Sequence, residues 1–168
     1  MTTDQQQKRQ ERLIACRAAV DRAREGDNVQ QQCLALIDLG AALFQTRMFE
    51  EGVATLDEAE ELAATLDDAP FLAHCLGLKA AAYQDIVRFH NAYEVIDRVL
   101  ALAETHGDQG MKCDALVTQA QTLASSGEPV IALDKLKEAR ALANQLDDKR
   151  RLMQTLGALG NIKAALAA

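Results

Sequence analysis

The sequence has no tryptophan, only two prolines, 4% aromatic residues and four widely spaced cysteines. Each scarcity excludes something. Few prolines and aromatics among 49% hydrophobic residues, with Ala, Leu, Gln, Glu, Asp and Arg in the majority, argue against a sheet and for helices. Cys16, Cys33, Cys75 and Cys113 form no Cys-x-x-Cys pair and lack the density of a secreted disulfide scaffold, so they read as reduced, mostly buried small apolar residues. No stretch approaches the roughly 20 apolar residues that span a bilayer. The N-terminal "MTTDQQQKRQERL" lacks the apolar core of a signal peptide, so a cytoplasmic address and no membrane partner are expected. A formal net charge of -7 repels polyphosphate, which disfavours nucleic acid.

Catalytic constellations are equally scarce. His74, His90 and His106 include no pair at the four-residue spacing of a helical metal site, and adjacent His74 and Cys75 point about 100° apart on a helix. Nothing supplies a third group to orient a Cys/His nucleophile. "SSGEP", Ser125 to Pro129, has no lysine after it and a proline opening the next helix, so it is a turn rather than a phosphate loop. The glycines of "LGALG", Gly157 and Gly160, follow no strand, and packing explains Gly160 better than a nucleotide fingerprint does. The acids of "LDEAEEL" read as a solvated helix face. The expectation is a protein that is not an enzyme and holds no metal or cofactor.

What the chain has is a repeat of 40 residues. Leu36, Leu76, Leu116 and Leu156 fall in one column, Gly40, Ala80, Ala120 and Gly160 in the next, then Leu43, Tyr83 and Leu123. Gly52, Ala92 and Ala132 form a second small column, Leu56, Ile96 and Leu136 a large one, and Ala59, Val99 and Ala139 a third small one. Within a unit the apolar residues recur every three or four positions in two blocks joined by a short polar turn. Each unit is therefore a helical hairpin. Asn28, Asp68, Asp108 and Asp148 stand in register where a side-chain acceptor would cap the next helix. Pro70 and Pro129 suit first helical turns. The small columns mark places where helices cross closely enough for a bulky neighbour to fill the groove beside them.

These columns predict an all-α chain of about eight antiparallel helices in a single domain over 1–168. Residues 4–25 form an N-terminal capping helix of the second type, 28–67, 68–107 and 108–147 three hairpin repeats, and 148–168 a C-terminal half-repeat of the first type. Leu39-Gly40, Leu43, Phe49, Gly52, Leu56 and Ala59, with the same columns in the next two units, make the chain resemble the tetratricopeptide repeat (TPR) family, in a long-repeat variant. The resemblance implies an α-α superhelix, a TPR-like solenoid, whose first helices line a concave groove.

By the same resemblance, the ligand-facing positions are Asp38, Ala41, Phe44, Gln45, His74, Gly77, Leu78, Ala81, Gln84, Asp85, Asp114, Val117, Thr118, Gln121, Gln154, Gly157 and Asn161. The set carries three Asp and no Lys or Arg, which implies an acidic, amide-rich groove for a neutral to basic peptide or protein segment, with amides pairing to the ligand backbone. An alternative is architectural. From Leu152 onward only Lys163 is charged, as expected of an end that packs on another copy, packs on a partner or continues into further repeats; Leu152, Met153, Leu156, Leu159, Ile162 and Leu166 are the candidates for self-association, as a homodimer or a longer stack. A further alternative, the ligand-sensing part of a bacterial regulator, follows from likeness to long-repeat members of the family.

Overall fold

The computed structural model describes residues 3–167, leaving aside the Thr3 side chain. Among them are eight α-helices and no strand: α1 (Thr3–Arg24), α2 (Val29–Gln45), α3 (Phe49–Ala64), α4 (Ala69–Asp85), α5 (Phe89–His106), α6 (Gln109–Ser125), α7 (Pro129–Gln145) and α8 (Lys149–Ala167). First-type helices start at residues 29, 69, 109 and 149 and second-type helices at 49, 89 and 129, so the 40-residue period holds at every start.

Local chemistry explains those boundaries. The side chains of Asn28, Asp68, Asp108 and Asp148 accept hydrogen bonds from the backbone N–H groups of Gln31, Phe71, Met111 and Arg151, at 2.9–3.0 Å. Each satisfies one of the donors that a helix start leaves free. Helices end with a residue in the left-handed region: Arg47, Val87 and Gly127 after first-type helices, Asp67, Gly107 and Asp147 after second-type ones. The next N–H reaches back five residues, from Met48 to the Leu43 carbonyl (2.9 Å) and from Glu128 to the Leu123 carbonyl (2.8 Å).

The helices gather into two units, residues 1–86 with α1–α4 and 87–168 with α5–α8. In the first, Leu13, Val20, Cys33, Leu36, Leu43, Leu56 and Ala59 form the centre of a core that also takes in Cys75 and Ala82 of α4. The α2/α3 seam is tight: a Cβ added at Gly40 would lie 2.8 Å from Leu56, and one at Gly52 2.8 Å from the Phe44 ring. Between α3 and α4 the buried Lys79 ammonium bonds Asp57 and Glu60, the latter at 2.7 Å. Burial opposes its charge, but the hydrogen bonds to Asp57 and Glu60 outweigh that and raise its pKa above the ordinary lysine value.

In the second unit Cys113, Leu116, Ala120, Leu136, Ala139, Ala158 and Ile162 bring α6, α7 and α8 together. The α6–α8 contact is fixed by charge as well. Arg151 donates from Nε and Nη2 to the Asp114 carboxylate at 2.9–3.1 Å and from Nη1 to Asp148 at 2.5 Å. Its guanidinium lies where a Cβ on Gly110 would sit, 2.9 Å away. The backbone N–H and then the guanidinium of Arg151 hold the Asp148 carboxyl below its usual range.

Candidate peptide-binding cleft

Several groove positions inferred from the sequence turn out to be structural. Phe44 does not point into a groove: its ring lies over Gly52, where a Cβ would come within 2.8 Å of it, and stacks on Phe49 with centroids 6.3 Å apart. Leu78 packs against the core of the first unit, and Val117 is buried in the second. Asp114 is no free groove charge. Arg151 grips it bidentately and Arg150 stands 3.8 Å away, so this end is not the cation-free acidic surface the sequence suggested. Thr118 donates its hydroxyl proton to the Asp114 carbonyl at 3.1 Å, and Gln154 accepts from Arg150 at 3.4 Å. In the first unit Asp38, His74 and Asp85 are exposed, Ala41 and Gln84 half-buried, and the exposed Gln45 accepts hydrogen bonds from Arg9 and Arg12.

Two of the expected positions, Gln121 and Asn161, do come together. They share a repeat column and border a cleft of about 510 Å³ between the C-terminal ends of α6 and α8. Ala124, Ala158, Ile162 and Leu166 supply apolar wall; Ser125 adds a hydroxyl; Gly127, Pro129 and Ala165 complete the lining, and none of these side chains is charged. Ser125, Ala158 and Pro129 line the cleft without being expected there, yet the repeat carries the signal. Ala124, Ser125, Gly127 and Pro129 occupy the columns that hold Phe44, Gln45, Arg47 and Phe49 in the first unit. Where the first unit fills its turn with a stacked ring pair, the second has an alanine and a proline, and the smaller side chains leave a cleft.

The self-association candidates also divide. Leu152, Leu159 and Ile162 pack into the second unit's core, because they lie on the side of α8 that meets α6 and α7. Leu166 borders the cleft. Only Met153, at 71%, and Leu156, at 43%, remain on an open face away from it. Gly160 is exposed and a Cβ there would meet nothing within 4 Å, so the packing reason expected for it is absent from the described residues.

The three buried thiols offer no ready nucleophile. Cys33, Cys75 and Cys113 are free and buried; burial pushes each thiol up, and for Cys75, with the charge of Cys33 adding to it, to about 12. Among the described residues no three His, Cys, Asp or Glu side chains stand close enough to hold a metal ion, and no helix is long and apolar enough to cross a membrane.

No family model and no curated protein matches the sequence. Solved structures do match the chain's fold. BtubC (BKLC) from P. vanneervenii superposes at a TM-score of 0.79 with 18% identity over 94% of this chain, which spans 66% of that one. A kinesin-light-chain-type protein from Podosopora anserina, built of nearly identical TPR-like repeats, gives 0.69 at 15% identity over 96% of this chain and 81% of that. The fold is TPR-like. A Rap protein solved in complex with competence and sporulation factor gives 0.58 at 16% identity, over 95% of this chain and 48% of the Rap protein. A TPR-like fold accounts for the 40-residue period that the helix starts keep.

Proposed function

We propose that this TPR-like protein is a non-enzymatic interaction module that holds a short peptide or protein segment in the α6/α8 cleft. The observation that carries the reading is the composition of that cleft: two side-chain amides and a hydroxyl around an apolar floor, with no charged lining group. Its volume of about 510 Å³ falls in the usual range of ligand sites, roughly 300–1,000 Å³. Gln121 and Asn161 each offer a donor and an acceptor, which suits the backbone of an extended chain, while Ala158 and Ile162 receive an apolar side chain. A neutral, apolar-bearing segment fits this cleft. Support also comes from the Rap protein of similar fold, solved with a bound factor.

The test is selection of peptides from a random display library against the intact protein, followed by affinity measurements on variants. Gln121→Ala with Asn161→Ala removes exposed amides, and Ala165→Trp narrows the cleft from an exposed position. Both should weaken the selected peptides at least tenfold, about 1.4 kcal/mol, with helicity unchanged. Peptides that bind both variants as well as the parent would reject the cleft.

A further inference from the structure

A face of α8 is open to solvent that its counterparts bury. Met153, Leu156 and Gly160 align with Cys33, Leu36 and Gly40 of α2 and with Cys113, Leu116 and Ala120 of α6. Those six positions are buried. A second-type helix covers each trio: Gly40 faces Leu56 of α3, and the Cys113 thiol donates to the Ala139 carbonyl of α7 at 3.3 Å. On α8 no described residue does so. The helix that would cover this face is therefore of known kind, antiparallel to α8 and carrying the track that α3 and α7 carry, Leu56-Ala59-Ala63 and Leu136-Ala139-Ala143.

α1 has that track. The register places Cys16, Ala19 and Ala23 in those columns, and they are half-buried where their counterparts in α3 and α7 are fully buried. Pairing α8 with α1 as α2 pairs with α3 sets Leu156 against Ala19, Gly160 against Cys16 and Met153 against Ala23. Each pair joins a larger side chain to a smaller one. At the far end Ala164 meets Arg12, in the columns of Phe44 and Gly52, with the bulk transferred from one helix to the other. At the near end the exposed Lys149 and Arg150 come beside Glu25 and Asp27, which follow α1.

We propose that α8 of one molecule docks on α1 of a second copy, head to tail, so that two half-units make one complete repeat. The contact joins two different surfaces, so it adds copies in a row rather than closing a symmetric pair. It lies apart from the cleft side chains of Gln121 and Asn161, and peptide affinity and association can fail independently.

Sedimentation velocity of the full chain, from low micromolar to near-millimolar concentration, tests this. The parent should form species that grow with concentration. Leu156→Glu and Ala19→Glu, and Ala23→Arg as a second probe of the α1 track, should each weaken association at least tenfold while circular dichroism shows the same helicity. Mixing Leu156→Glu with Ala19→Glu should restore a 1:1 dimer and nothing larger, because each partner keeps one sound surface. A parent that stays monomeric throughout overturns the proposal. So does a mixture that fails to combine, or folded α1 variants that associate like the parent.

Discussion

The same substitution in the same repeat column should have opposite effects at residues 40 and 160. Replacing glycine by alanine inside a helix is worth about 1 kcal/mol of helix propensity. At Gly160 a Cβ meets nothing within 4 Å, so that gain is realised, and Gly160→Ala should stabilise by about 0.5–1 kcal/mol. At Gly40 the new methyl lies 2.8 Å from Leu56 Cδ2 and 2.9 Å from Cγ, where carbon atoms rest at about 3.5–4.0 Å. Leu56 is 2% exposed and has nowhere to move. Overpacking of this kind costs about 1–3 kcal/mol, which outweighs the propensity gain and leaves Gly40→Ala destabilised by about 1 kcal/mol. The two variants should therefore differ by about 2 kcal/mol in urea unfolding followed at 222 nm, measured at low protein concentration. In a Leu56→Ala background the clash is gone, and Gly40→Ala should become stabilising. The column itself is not the cause, since Ala120 stands in it without strain; the cause is the spacing of α2 and α3. Equal stabilisation at 40 and 160 would refute the reasoning.

Lys79→Met leaves Asp57 and Glu60 facing each other without the ammonium, and should cost about 2–3 kcal/mol in the same urea assay, somewhat below a fully buried pair because Asp57 is half-exposed. Because the lysine pKa is raised in the folded state, its stabilisation is complete below the ordinary lysine value; the gap to the variant should stay constant through neutral pH and close only above it. A thiol reagent at pH 8 should modify Cys16 in the folded protein and reach Cys33, Cys75 and Cys113 only with unfolding; rapid native labelling of all four thiols would contradict their burial. Val87, a β-branched residue at φ 61°, occupies a position that glycine takes at 127; Val87→Gly should raise stability by about 0.5–1 kcal/mol, and a loss in thermal unfolding would count against the left-handed turn.

Much of the fold could be read from the sequence because its determinants are local and recur. The Asn28, Asp68, Asp108 and Asp148 caps act within three residues, and the Gly40 and Gly52 columns mark crossings that a period of 40 repeats. The site was harder because it depends on what differs between units. Phe44 reads as a groove residue by its helix position alone, whereas Gly52, in the same seam, makes room for its ring. The Asp114–Arg151 pair joins residues 37 apart, and its one local sign is the missing side chain at Gly110, which makes room for the guanidinium. The cleft is a loss of bulk, Ala124 and Pro129 against Phe44 and Phe49, and a reading that looks for conserved columns passes over a place where the column shrinks. Gly160 kept its column but has no covering helix, so the column predicted a contact the described residues lack.

The most direct measurement is amide chemical-shift mapping of the isotope-labelled protein during titration with a display-selected peptide. Binding in the cleft predicts the largest, saturable shifts at Gln121, Ser125, Asn161 and Ile162, with little change at Asp38 or along the α2/α3 seam. Largest shifts at Met153 and Leu156, or in the first unit alone, would contradict it.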